Sequence, residues 1–158
     1  DLESLAGTLG SDVPFFIHSC PAICRGRGEL VGPIATFPGA NVLLVKPPFP
    51  IPTPWAYQSY QNTSNSAETF CQSHGSIPLM NDLEGPVFAK YLVLPVLKRW
   101  LLEQVGVLSA MMSGSGSTIF AIVNKDPSDL EARLLSEFGS SFLVHRCQLI
   151  GSSPEGIQ

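Results

Sequence analysis

Apolar residues recur at Leu2, Leu5, Ala6 and Leu9, the spacing of one helical face, and Gly10 is placed to end that helix. The run from Val13 to Cys24 is rich in β-formers and predicts a strand that leads into a turn at Arg25–Glu29. A second short strand is expected over Glu29–Ala35, and the compact apolar run Ala40–Pro47, bounded by Pro-Gly and Pro-Pro, predicts a buried strand. The proline-rich segment that follows cannot enter a sheet interior. Thr53 is placed to cap a helix whose first position is Pro54. The polar stretch Asn62–Ser76 reads as loop with a short helix. Asn81 or Asp82 is placed to cap a helix with apolar Val87, Tyr91, Leu94 and Leu101, which Pro95 should kink or split and Gly106 should close. Val107–Met112 and Ser117–Val123 read as strands on either side of a Ser-Gly-Ser-Gly loop. Pro127–Phe138 predicts a helix with a Ser128 cap and a Glu131 capping-box partner, and Phe142–Ile150 a last strand. From Ala40 onward the order is strand, helices, strand, strand, helix, strand. That is the α+β order of a split βαβ, or ferredoxin-like, domain.

Composition narrows what such a domain does. Of the 158 residues, 44% are hydrophobic and 14% charged, which supports a buried core and opposes disorder. A net charge of −4 leaves no basic face for nucleic acid or anionic lipid. Val87–Leu102 is the most apolar stretch, yet Lys90, Pro95, Lys98 and Arg99 interrupt it, so it does not read as a membrane span. Cys20 and Cys24 are separated by three residues, His18 is nearby, and no second cysteine pair follows. Small packed thiols of a reduced, cytoplasmic protein fit this better than a metal site. The chain opens on Asp1 inside a helical pattern and is expected to be the later part of a longer protein.

Five short motifs could carry chemistry. In LGSDVPFF (9–16), Asp12 lies between a helix end and bulky apolar residues, where a carboxylate serves either as a proton acceptor or as a turn former. GRGE (26–29) reads as a tight turn. In IPTPWAY (51–57), Thr53 and Tyr57 share one helical face, and Tyr57 suits either ring stacking or the core. NDLE (81–84) suits a helix start. In SGSGST (113–118), Gly114, Ser115 and Gly116 can turn backbone N–H groups toward an anion, although the lysine of a P-loop is lacking.

In this order and spacing the motifs resemble the C-terminal portion of the 4-diphosphocytidyl-2-C-methyl-D-erythritol kinases, a family within the GHMP kinases. The resemblance runs from about Leu9 to Val123 and extends to the last helix and strand. It implies that residues 1–37 end an N-terminal, ribosomal-S5-like kinase domain and that 38–158 form the C-terminal domain. It implies Asp12 as the base that deprotonates the substrate 2-hydroxyl as it attacks the γ-phosphate of ATP, with Mg2+ on the nucleotide. Thr53 and Tyr57 would bind a substrate bearing a cytidine diphosphate group, Tyr57 by stacking on the cytosine. Gly114, Ser115 and Gly116 would lie against the phosphate loop. The first two GHMP motifs fall outside these residues, so this stretch alone is expected to be inactive. Ser19 departs from the glycine usual after Phe15-Phe16. Two other readings compete: a GHMP kinase for homoserine, mevalonate or a sugar, and a ferredoxin-like binding module without catalysis.

Overall fold

The computed structural model describes residues 2–18, 20–34, 39–61, 72–74, 77–124 and 128–149, with backbone alone at 72–74, 77–78 and 128. Two compact units divide the chain between Gly39 and Ala40. Each is described by itself.

The first unit begins with helix α1 (Leu2–Leu9) and helix α2 (Val13–His18), followed by an antiparallel hairpin of β1 (Ala22–Arg25) and β2 (Leu30–Pro33), paired from Ala22↔Pro33 to Arg25↔Leu30. The strand expected over Val13–Cys24 is therefore corrected: its first part is helix. Pro14 supplies the reason. It has no N–H for a ladder, yet it fits the first turn of a helix, where that donor has no partner. Gly10 starts the reversal, its carbonyl accepting from the Val13 N–H at 3.2 Å. Ser19 lies outside the described residues.

The second unit contains β3 (Ala40–Lys46), α3 (Thr53–Gln61), a small hairpin of β4 (Gln72–His74) and β5 (Ile77–Leu79), α4 (Glu84–Lys90), α5 (Val93–Leu102), β6 (Val107–Met112), β7 (Ile119–Val123), α6 (Ser128–Phe138) and β8 (Leu143–Leu149). Its main sheet runs β6-β7-β3-β8, antiparallel throughout. This is the ferredoxin-like α+β arrangement expected from the element order. The loop expected up to Ser76 is corrected at 72–74, which pair with Ile77–Leu79; residues 62–71 and 75–76 lie outside the described residues.

The core follows the two periodicities. Leu43 and Val45, Ile119, Ala121 and Val123, and Ala110 and Met112 alternate along β3, β7 and β6 and are buried on one side. Leu94, Leu97 and Leu101 of α5, Val87 of α4, and Leu130 and Leu134 of α6 join them in one cluster. Pro95 splits the long apolar helix as expected. α4 ends at Lys90 and α5 begins at Val93, so the Tyr91 carbonyl, four residues before Pro95, turns to accept from the Leu94 N–H at 2.9 Å and avoids the proline ring it would otherwise strike. Of the cysteines, Cys24 is exposed, which corrects its expected place as a packed apolar group; Cys71 lies outside the described residues. No helix among the described residues is long and apolar enough to cross a membrane.

Leu97 is fully buried and Val105 is 94% exposed. Leu97→Ala should therefore cost about 2–5 kcal/mol by urea denaturation, and Val105→Ala at most about 0.5 kcal/mol.

Candidate active site

In the first unit, Asp12 stands in the turn between α1 and α2, with its side chain exposed. The hairpin turn Gly26–Glu29 comes to meet it. A Cβ built on Gly28 would lie 2.5 Å from Asp12 Oδ1 and 3.3 Å from the Ser11 carbonyl oxygen, and Gly28 holds φ +121°. The positive φ disfavours a side chain at 28, and any Cβ there would displace the Asp12 carboxylate from its present position. Two motifs that local sequence kept apart thus form one feature. Glu29 closes the turn from the other side, its Oε2 accepting from the Arg27 N–H at 2.7 Å. Its own backbone N–H first, then that of Arg27, hold its carboxyl below the usual glutamate range, with the Arg27 charge a smaller contribution.

In the second unit, the glycine-serine turn between β6 and β7 is closed by Ser113 N–H donating to the Thr118 carbonyl at 2.9 Å and Gly116 N–H to the Ser113 carbonyl at 3.0 Å. The proline-rich segment lies along it with every second residue. The Phe49 carbonyl accepts from Ser117 Oγ at 2.5 Å, Ile51 Cδ1 lies 2.9 Å from where a Gly116 Cβ would be, and Thr53 Oγ1 shares a 2.8 Å hydrogen bond with Ser115 Oγ. Extended backbone places alternate residues on one side, and the intervening Pro50 and Pro52 are exposed and need no partner for an N–H. Gly116 is enclosed, with φ +87° and Met112 Sδ 2.8 Å from the same Cβ position, whereas a Cβ on Gly114 would meet nothing within 4 Å.

Thr53 opens α3, but its hydroxyl does not act as the expected cap. It is spent on Ser115, while the Pro52 carbonyl receives the first helical bond, from the Ala56 N–H at 3.2 Å. Tyr57 stands one turn along α3 and is 56% exposed, which removes the core alternative. The structure therefore brings Thr53 and Ser115 together, with Gly114 and Gly116 flanking Ser115 and Tyr57 on the Thr53 helix. Asp12 belongs to the other unit.

The cap expected of Asn81 or Asp82 is corrected: the N-cap of α4 is Leu83, without a side-chain cap bond, and the NDLE motif makes its contacts elsewhere. Asn81 Oδ1 accepts from the Leu83 N–H at 3.0 Å, and its Nδ2 donates to the carbonyls of Met112 and Gly114, both at 2.8 Å. Glu84 Oε1 accepts from the Met112 N–H at 2.8 Å and Oε2 pairs with Lys98 Nζ at 2.6 Å. One sequence signal pointed here. Lys98 falls on the apolar stripe Leu94, Leu97, Leu101 of α5, and a lysine in that stripe calls for a buried carboxylate. The cap expected of Ser128 lies outside the described side chains; Glu131 pairs instead with Arg146 at 3.1 Å.

Gly116→Ala should unfold or reshape the turn, at a cost of about 1–3 kcal/mol for overpacking alone, read as a fall in the denaturation midpoint. The Glu29 carboxyl, followed through the Arg27 amide by NMR, should titrate below a free glutamate. Its small contribution to stability is therefore present above the unfolded-state midpoint and lost as pH falls through the lower folded one. Arg27→Ala should leave that midpoint nearly in place, because the backbone groups are the larger causes.

Residues 64–141 match the family described as GHMP kinases C terminal. A 4-diphosphocytidyl-2-C-methyl-D-erythritol kinase of Methylacidiphilum infernorum is 44% identical over 128 residues, covering 80% of this chain and 45% of that protein. One of the same description from Geobacter sulfurreducens is 37% identical over 137 residues, covering 83% and 49%. The chain spans about half the length of the curated relatives it matches. A crystal structure of 4-(cytidine 5'-diphospho)-2C-methyl-D-erythritol kinase superposes with a TM-score of 0.68 at 29% identity, over 92% of this chain and 56% of that one. Sequence family, relatives and fold agree: residues 64–141 of this chain match the C-terminal domain of the GHMP kinases.

Proposed function

We propose that this chain is part of an enzyme that transfers a phosphoryl group from ATP to the 2-hydroxyl of 4-diphosphocytidyl-2-C-methyl-D-erythritol, in isoprenoid precursor synthesis. The observation that carries the reading is the 2.8 Å bond between Thr53 and Ser115, which joins the start of the Tyr57 helix to the glycine turn across 62 residues of sequence. It supports a substrate group and a nucleotide served by two neighbouring segments of one unit.

Residues 1–37 serve in this reading as the end of the N-terminal kinase domain and 38–158 as the C-terminal domain. Tyr57, exposed on α3, stacks on the cytosine, and Thr53 orients the substrate beside it. The remote cytidine group then contributes binding energy to alignment of the reacting end. Asp12 accepts the proton of the 2-hydroxyl, its carboxylate given room by the absence of a side chain at Gly28. The open side of Gly114 leaves room for an anionic group against Gly114, Ser115 and Gly116, so these residues fit the edge of an ATP site. ATP, accompanied by Mg2+, supplies the phosphoryl group when bound, and phosphoryl transfer draws mainly on positioning and charge. The enzyme acts on a small molecule, in the cytoplasm.

The test is an assay of the enzyme expressed from its complete reading frame, with ATP, Mg2+ and the cytidine substrate. Asp12→Asn should lower kcat by about 10²–10⁴-fold. Tyr57→Ala should mainly raise KM for the cytidine substrate. Phosphorylation of homoserine or mevalonate in its place, or cytidine binding without turnover, would overturn the assignment.

A further inference from the structure

Met112 is the last residue of β6 before the glycine turn, and its backbone is held at both polar groups by one four-residue motif. Its N–H donates to Glu84 Oε1 and its carbonyl accepts from Asn81 Nδ2, each at 2.8 Å. The same Nδ2 reaches the Gly114 carbonyl at 2.8 Å, inside the turn. The orientation of the Asn81 amide is set by three partners at once, two carbonyls facing its NH2 group and the Leu83 N–H facing its oxygen. Asn81 and Glu84 are themselves brought into register by the Glu84 N–H donating to the Asn81 carbonyl at 3.0 Å. Behind Glu84 stands Lys98, with side-chain exposures of 14% for the glutamate and 11% for the lysine.

We propose that Asn81 and Glu84, with Lys98 as the counter-charge of Glu84, are positioning residues that set the main-chain course of the turn Ser113–Ser117 for the nucleotide. The proposal rests on the kinase reading above for the identity of the ligand, but not for the mechanical link itself. The bonds go to backbone atoms of the strand end and the turn, so they govern where the Gly114, Ser115 and Gly116 peptide groups point. A carboxylate at 81 would keep the size of the side chain and turn two donors into acceptors facing two carbonyl oxygens. Loss of Lys98 would leave Glu84 a nearly buried charge without its partner, whereas a glutamine at 84 can still accept from the Met112 N–H without needing a cation.

The experiment compares Asn81→Asp, Lys98→Met and the double variant Glu84→Gln/Lys98→Met in the enzyme expressed from its complete reading frame. It reads KM for ATP, KM for the cytidine substrate, kcat, the melting temperature, and the NMR amide positions of residues 113–117. Asn81→Asp should shift those amides and lower kcat/KM for ATP on the order of 100-fold, with KM for the cytidine substrate held within about twofold. Lys98→Met should move the same amides, and adding Glu84→Gln should return them toward the wild type. Variants that lower the melting temperature yet leave the turn amides unmoved and the two KM values in their original ratio would overturn the proposal. So would a Lys98→Met effect that Glu84→Gln does not relieve. A wild-type enzyme that does not phosphorylate the cytidine substrate refutes the kinase reading alone. In that case the turn amides decide the positioning role, and their staying in place in all three variants defeats it.

Discussion

The Glu84 carboxylate, nearly out of reach of water, is shared between the Lys98 ammonium and the Met112 N–H. A charge in that position is tolerable only because both oxygens are occupied; deleting one member of such a buried pair leaves the other uncompensated, at about 3–5 kcal/mol. The three groups come from the start of α4, the middle of α5 and the end of β6. Their meeting therefore fixes two helices and an edge strand at the point where the chain leaves the sheet for the glycine turn. The hydrophobic cluster around Leu94, Leu97 and Leu101 brings these elements together without direction. The ion pair gives the direction.

Around that turn the architecture works by complementary omission. Gly116 leaves space that Met112 and Ile51 fill, and in the other unit Gly28 leaves space that the Asp12 carboxylate fills. In both cases a side chain from another part of the chain occupies the space that a glycine leaves. The proline-rich segment belongs to the same scheme. Its alternating residues Phe49, Ile51 and Thr53 meet the turn through a carbonyl, a methyl and a hydroxyl, while Pro50 and Pro52 stay at the surface. Stiff φ angles at Pro50 and Pro52 keep the segment extended without a paired strand beside it.

Likeness to the GHMP kinases accompanies the fold and the order of these motifs, and the local contacts give a reason for their composition. NDLE combines a short amide that can bridge two carbonyls with a carboxylate three residues on that can reach a strand end. GRGE combines two turn glycines, one of which admits a carboxylate, with a glutamate whose own backbone stabilises its charge.

Much of this was legible in the chain itself. Period-two and helical apolar patterns are local properties, so β3, β6, β7, α5 and α6, and hence the ferredoxin-like order, could be read from residues that are neighbours in sequence. The break between α4 and α5 was legible for the same reason, since Pro95 acts on the carbonyl four residues before it. Val13–His18 was misread because apolar β-formers outweighed the one residue, Pro14, whose missing N–H decides between ladder and helix. The partners of Asn81, Glu84, Thr53 and Gly28 were not legible. A hydroxyl, an amide or a carboxylate declares that it needs a partner, but which backbone group answers, 31 or 62 residues away, is decided only when the packed core brings the strand ends and helix starts to one place.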